Sequence, residues 1–578
     1  MRTFDQYASF GDALDNSEAR EVLERSIPDI LQSSLATSLR GFPLGGFLRF
    51  ALAPDEAKID ALLSQLGRIE DKTPRPAEAA PIVPRNDYES EEVVRGSATL
   101  MEPASAFVHK TVEIVVAGPE HGNPFVDVEL TADFVHPDIT LTIGGFYDGD
   151  GRYLLRFLPP LPGEWTLSTT SNARSLDGLV GYFSVEESSE RGPVRVSEQY
   201  AFSYANGAPY SPFGTTSYVW THQPESLQLE TLETLAAAPF NKLRMGLFPK
   251  DFLYNSNEPE NYVFPTNEDG TFDTERFDTE FFKNLEERIG QLGVLGIEAD
   301  LILFHPYDRW GFSTLGTAAD ERYVRYVTRR LAGFANVWWS MANEYDLLLS
   351  KRPEDWSRLA EVVQQEDHAD HLLSIHNWSD LFDYSVPWAT HASIQRGDAD
   401  MSKRIDEWRH QWGKPVVVDE FGYDGDLDQG WGNLRSEDVV DRFWAGMIRG
   451  GYLTHGETFY RDDEVIWWSK GGRLQGESVA RIAFLRRLVE ESPTGRLDPL
   501  ASDWDAPWGG VKDQYILIYF GLHRPKFRDV VIPDGMHARI QVVDTWNMTV
   551  EDVPGTHSGT TRIQLPARPH MALRLTEA

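Results

Sequence analysis

The segments VWWSMANE (337–344) and KPVVVDEFG (414–422) decide the fold. Each is a short run of apolar, β-branched or aromatic residues, which predicts a buried strand. Each run ends on a polar pair that closes with a carboxylate, Asn343-Glu344 and Asp419-Glu420. Working outward, the same unit recurs at SPFGTTSYVW (211–220), FNKLRMGLF (240–248), GIEADLILFH (296–305), HLLSIHNW (371–378), WATHASI (388–394) and GYLTHGETF (451–459). Amphipathic stretches lie between several of them, most clearly FDTEFFKNLEERIGQLGVLG (277–296) and DERYVRYVTRRLAGF (320–334). Eight strand–helix units over residues 195–490 predict a (β/α)8 TIM barrel. A doubly wound sheet is the alternative, but no glycine-rich nucleotide turn follows the first strand.

The flanks read differently. Residues 96–188 predict a β-sandwich. Val126, Val128, Leu130, Ala132 and Phe134 alternate with polar residues, and DGDG (148–151) reads as a hairpin turn. Residues 500–578 return to short strands, YILIYF, ARIQVVDTW, RIQLP and MALRL, and predict a C-terminal β-sandwich. Residues 69–95 carry Pro74, Pro76, Pro81 and Pro84 and read as an extended linker. Residues 1–68 predict helices, with Asn16 and Ser17 as caps and Ile59, Leu62, Leu63 and Leu66 on one face. Pro54 and Asp55 suit a first helical turn. So short a segment is expected to dock on the rest of the chain or to mediate a homo-oligomer.

Composition bounds the partners. The chain has 578 residues and a formal charge of −36, which argues against nucleic acid and anionic membrane. With 0 Cys, a disulfide, a Cys-ligated zinc and a thiol nucleophile are excluded. The opening MRTFDQYASFGDALDNSEAR has no apolar core of a secretory signal, and no run reaches about 18 apolar residues. The expectation is a soluble, cytoplasmic protein. Aromatic residues, 12% of the chain, suit both large cores and sites that stack sugar rings.

In barrel enzymes the reacting groups stand at the C-terminal ends of the strands. There the sequence places Asn343 and Glu344 on strand four and Glu420 on strand seven. Arg244 lies on strand two, His305 ends strand three with Asp308 shortly beyond it, and His376 ends strand five. His391 lies in strand six, and Glu457 ends strand eight. Tyr218, Trp220, Trp310, Trp338, Trp339, Trp378, Trp467 and Trp468 flank these points, and Trp310 and Trp468 are the ones chosen as sugar platforms. Two carboxylates facing each other across a barrel mouth can cleave a glycosidic bond, one protonating the leaving oxygen while the other stays ionised. Glu344 and Glu420 are therefore the expected catalytic pair. Arg244, His305, Asp308, Trp310, Asn343, His376, His391, Glu457 and Trp468 are the expected substrate contacts. For Glu457 a salt bridge with Arg461 is the structural alternative.

The Asn-Glu of WWSMANEYD and the Glu of VVVDEFGYDGD resemble the clan A retaining glycoside hydrolases. That resemblance implies Glu344 as acid/base, Glu420 as nucleophile, Asn343 on the sugar 2-hydroxyl, and Arg244 hydrogen-bonded to the nucleophile. GPEHGNPF, PGEWTL, FHPYDRWGF, THGETF and IWWSKGG further resemble bacterial apiosidase-like glycosidases with flanking β domains, over about residues 96–578. This implies double displacement, no cofactor, and a pentose or furanose donor. Strand six departs from the clan's pattern. It ends in Ser393-Ile394-Gln395, with no tyrosine in the place of the one that often touches the nucleophile.

The rival readings have less support. A metal hydrolase would need His305, His391 and His455 to converge, yet no H-E-x-x-H is present, and EDHADH (366–371) reads as a solvated loop. No G-x-S-x-G appears. A non-catalytic carbohydrate-binding barrel would be expected to lack one glutamate. The small imported substrate that a cytoplasmic location implies, and the long segment 251–272 beside the mouth, favour exo over endo action. Transglycosylation shares the same covalent intermediate and stays open.

Overall fold

The computed structural model describes residues 2–32, 36, 39–52, 55–73, 79–256 and 258–578, apart from the side chains of residues 501–503. Its centre is a barrel of eight parallel strands. These are β1 (Phe213–Thr216), β2 (Lys242–Gly246), β3 (Glu298–Phe304), β4 (Val337–Ala342), β5 (Leu373–Ser374), β6 (Ala392–Gln395), β7 (Val416–Glu420) and β8 (Tyr452–His455). The ladder runs β5-β4-β3-β2-β1-β8-β7-β6, and one parallel bridge, His376 to Ser393, joins its two ends. The strands are buried on both faces, which is why they read as continuous apolar runs. Helices cover the outside. Thr279–Val294 is capped by Asp278, whose carboxylate accepts from the Glu280 and Phe281 amides. It buries Phe281, Phe282, Leu285, Ile289 and Leu292.

The barrel begins at Phe213, later than residue 195. Residues 194–210 form a three-stranded antiparallel sheet instead. Phe202 of that sheet packs on Trp338, His391 and Tyr452, whose strands begin there, so the sheet closes the end of the barrel remote from the site.

The sandwich before the barrel pairs two four-stranded sheets around Trp165, Phe134, Phe157 and Leu155. DGDG is the turn between Phe146–Tyr147 and Arg152–Phe157. The alternating strand starts at Leu130, because Pro124 opens a helical turn through Asp127 that takes Val126 out of the sheet. Buried arginines bind this sandwich to the barrel. Arg156 donates to Glu286 at 2.8 Å, and Arg330 pairs with Asp148 at 2.8 Å. The C-terminal domain has a six-stranded sheet and a two-stranded ribbon around Ile518, Leu573 and Ile540.

The ends of the proline-rich stretch are packed. Ile69 accepts from the Phe4 amide, and Tyr88 stacks on His121 at 4.3 Å. Pro74 and Pro76 lie outside the described residues, as does Pro54; Asp55 is the N-cap of Glu56–Leu66. The EDHADH segment is buried at Asp367, Ala369 and His371 and exposed only at Asp370, contrary to the expectation of a solvated loop. Asp367 accepts from His371 Nδ1 at 2.9 Å and from Trp339 Nε1 at 3.0 Å, so its charge is satisfied inside the protein. No helix is long and apolar enough to cross a membrane among the described residues.

Candidate active site

Glu344 and Glu420 face one cavity of about 320 Å³ at the C-terminal ends of the strands. Its walls include Tyr218, Lys250, Tyr307, Asn343, Gln395 and Trp468. Two local backbone features aim the carboxylates. Glu344 sits in the left-handed region, φ 51°, just past β4, a conformation that costs a non-glycine residue about 1–2 kcal/mol. Its amide donates to His376 Nδ1 at 3.4 Å. On β7 the register against β6 shifts between Ile394 and Gln395, so Val418 and Glu420 have partners and Asp419 is the extra residue. This bulge turns both Asp419 and Glu420 into the barrel.

The pair sits in two different environments. Tyr307 donates its hydroxyl to Glu344 Oε2. Burial and the nearby Glu420 push the Glu344 carboxyl up to about 8, against Lys250, Tyr307 and Gln395, which favour its charge. Burial also raises Glu420, but more groups oppose it there: the Tyr218 hydroxyl, Lys250, Arg244 and Tyr423. Lys250 lies 3.8, 4.3 and 4.7 Å from the ring centroids of Tyr218, Tyr307 and Trp468. Burial lowers its ammonium to about 8, while the two carboxylates hold it charged.

Beneath the cavity lies a buried ionic floor. Lys242 Nζ donates to Asp419 at 2.7 Å and pairs with Asp300 at 2.6 Å. Arg244 donates to Asp300 and Ser340, each at 3.3 Å, and to Asn343 Oδ1 at 3.1 Å. Its hydrogen bonds thus go to Asn343 and not to Glu420, which is held by the Tyr218 and Tyr423 hydroxyls instead. No tyrosine of strand six meets Glu420; Tyr218 comes from the loop after β1 and Tyr423 from the loop after β7.

Of the residues picked from sequence, Asn343, Glu344, Glu420 and Trp468 line the cavity. Arg244 and His376 are buried directly under it and act through Asn343 and the Glu344 amide. The other five stand elsewhere. His305 is buried below Lys250, with Nε2 on the Phe248 carbonyl at 3.2 Å. Asp308 holds its own loop, accepting from the Trp310, Gly311 and Ser313 amides. Trp310 turns outward to Glu258 at 3.1 Å. His391 opens β6, at the barrel's closed end against Phe202 and Trp338. Glu457 accepts from the Gln475 and Gly476 amides, while Arg461 pairs with Asp463, so neither a sugar contact nor the Arg461 bridge describes it. His455 stacks on Phe240 at 4.9 Å. Among the described residues no group of three or more His, Asp or Glu side chains could hold a metal ion.

The fold has relatives among known proteins. Residues 197–495 match a family model described as apiosidase-like, catalytic domain. Residues 107–172 and 504–576 match two domains of unknown function, DUF5060 and DUF5605. A candidate glycoside hydrolase from Bacteroides vulgatus ATCC 8482 is 36% identical over 82% of this chain and 100% of its own, with a TM-score of 0.78. A glycoside hydrolase family 5 protein from the same organism shares the fold, at 15% identity over 67% of this chain and 93% of its own, TM-score 0.55. No curated protein matches. The matched region spans the whole barrel and both carboxylate-bearing strands, and the chain belongs to the apiosidase-like family, a glycoside hydrolase of the clan A type.

Proposed function

We propose that the chain is a retaining, exo-acting glycosidase that removes a terminal sugar from a small glycoside. The observation that carries this reading is the pair of glutamates on β4 and β7, facing one cavity yet solvated differently by the protein. Environments that push two carboxyl groups apart assign acid and base. Glu344, held neutral, is the acid; Glu420, supported by hydroxyls and cations, is the nucleophile.

In the first step a Glu420 oxygen attacks the anomeric carbon. The glycosidic C–O bond breaks, and the Glu344 proton goes to the leaving oxygen. Forming the ester removes the charge on Glu420. The repulsion that raises Glu344 disappears, so its pKa falls and it becomes a base. It then takes a proton from water, whose oxygen attacks the anomeric carbon and releases Glu420. Asn343, anchored by Arg244, is placed to bind the sugar beside the nucleophile. Trp468, on the other wall, offers a ring face. The Phe252 side chain, from the long segment after β2, and Trp431 narrow the cavity, which supports exo action on a short substrate.

The test is a panel of 4-nitrophenyl glycosides in both anomers and both ring sizes. Wild type, Glu344→Gln and Glu420→Gln are compared with and without EDTA. One sugar should be released with retained configuration by NMR, and each variant should lose about 10²-fold or more. Inverted product, undiminished variants or loss with EDTA would refute the assignment.

A further inference from the structure

The N-terminal helices reach the cavity. Residues 2–71 have their own core, built on Phe4, Phe10, Leu23, Phe47, Leu48 and Leu62. They are fastened beside the barrel mouth by two ion pairs, Asp5 with Arg352 and Arg49 with Asp380. Gly46 lies on Trp378 so closely that a Cβ there would stand 3.0 Å from the indole. Phe42 meets the same indole edge-on at 5.2 Å and lines the cavity that holds Glu344 and Glu420. The Trp378 turn is itself tied to β4. Asp346, two residues past Glu344, accepts from the Trp378, Ser379 and Asp380 amides at 2.6, 2.8 and 2.8 Å.

Phe42, Leu347 and Trp378 thus make a half-buried apolar wall on the β4–β5 side, beside Glu344. Lys250, Phe252, Tyr423, Trp431 and Trp468 come from the segments that follow β2, β7 and β8. The proton donor must reach the glycosidic oxygen, so whatever lies beyond that oxygen lies on the donor's side. We propose that the N-terminal helical module is a leaving-group subsite and that Phe42 is its specificity-determining residue. It takes leaving groups with a flat apolar face, an aryl ring or the C–H face of a second sugar, against the wall that Phe42 and Trp378 form together. The inference rests on Glu344 being the acid.

Phe42→Ala is tested on two substrates of one sugar, the 4-nitrophenyl glycoside and the glycosyl fluoride, whose leaving group is too small to touch the wall. The expected result is a fall in kcat/KM of about tenfold with the aryl glycoside, less than twofold with the fluoride, and recovery in Phe42→Tyr. Equal losses on both substrates, or none on either, overturn the proposal. Glu420→Gln must lose both substrates; if it keeps them, the site assignment fails and not the wall. A second measurement needs no turnover. The chain has 0 Cys, so Leu347→Cys introduces a single thiol on the wall and keeps both Phe42 and Trp378. Millimolar 4-nitrophenol should slow alkylation of that thiol and leave unchanged a control thiol introduced at exposed Glu18. Unchanged alkylation at position 347 overturns the proposal.

Discussion

Replacing Glu344 with glutamine should abolish turnover and, at neutral to alkaline pH, make the protein more stable. The carboxyl is 3% exposed, lies near a second carboxylate, and titrates at about 8 instead of 4.5. Unfolded, it ionises near pH 4.5; folded, it keeps its proton until about pH 8. Between those values the folded state binds more protons, so stability falls as pH rises, and it is unaffected below the window. Each tenfold in proton affinity is about 1.4 kcal/mol, so the penalty reaches on the order of 4–5 kcal/mol by pH 8. Glutamine has the same shape, still accepts from Tyr307, keeps the left-handed backbone, and carries no such penalty. The assay is the difference in barrel melting temperature between variant and wild type, measured at pH 5 and at pH 8. The variant should gain several degrees at pH 8 and little at pH 5. An equal difference at both pH values, or a less stable variant at pH 8, would refute the claim that the site holds Glu344 protonated.

The same pair sets the pH–rate profile. The proposed mechanism needs Glu344 protonated and Glu420 ionised, so kcat/KM should fall above about pH 8 and fall again on the acid side as Glu420 takes a proton, giving a bell. Lys250→Met removes a cation that favours both charged carboxylates, so both limbs should move to higher pH; an unmoved profile would detach Lys250 from the pair. Tyr218→Phe deletes a hydroxyl donated to the Glu420 carboxylate, a charged hydrogen bond worth about 1.5–3 kcal/mol, so kcat/KM should drop about 10- to 100-fold and the acid limb should move to higher pH.

The barrel and its carboxylates were legible because apolar strands announce themselves and their C-terminal ends are where chemistry collects. Asn343, Glu344, Glu420 and Trp468 follow directly from that rule. The rule over-reached where a polar residue at a strand end has a structural duty. Asp308 caps a turn, Glu457 collects two amides, and His391 opens its strand instead of closing it. The residues it missed stand a few positions past their strands. Lys250 follows Pro249 after β2, Tyr307 lies three residues beyond β3, and Tyr423 three beyond β7. Loop geometry carries them inward, and periodicity is silent about loops. Gln395 was visible as the end of strand six, and its side chain supports Glu344 where a tyrosine was sought for the nucleophile. Phe42 left no local signal at all, since its partners are three hundred residues away and only the docked fold brings them together.

The charge balance of the barrel interior supports the proposal that Glu344, and not Glu420, carries the proton. The floor holds two cations, Lys242 and Arg244, against two carboxylates, Asp300 and Asp419, so it is neutral as a unit. Those cations hold Asp419 far below the ordinary carboxylate range, so it stays charged throughout the cycle. Above the floor stand one cation, Lys250, and two carboxyls, Glu344 and Glu420. One carboxylate balances Lys250; a second would leave a net charge in a buried cavity, at a large desolvation cost. The Tyr218 and Tyr423 hydroxyls and the Arg244 field decide which one ionises, and they favour Glu420. In the proposed glycosyl-enzyme, with Glu420 esterified to a sugar, the same arithmetic would reverse and Lys250 would favour a charged Glu344, so the proton would be released in the step that needs a base. A substitution that adds a second cation to the cavity, such as Gln395→Lys, should undo this by allowing both carboxyls to ionise. Glu344 would lose its proton below neutral pH, and the alkaline limb of kcat/KM should move down toward pH 6; a limb that stayed at about 8 would show that desolvation alone, and not the balance of charge, holds the proton.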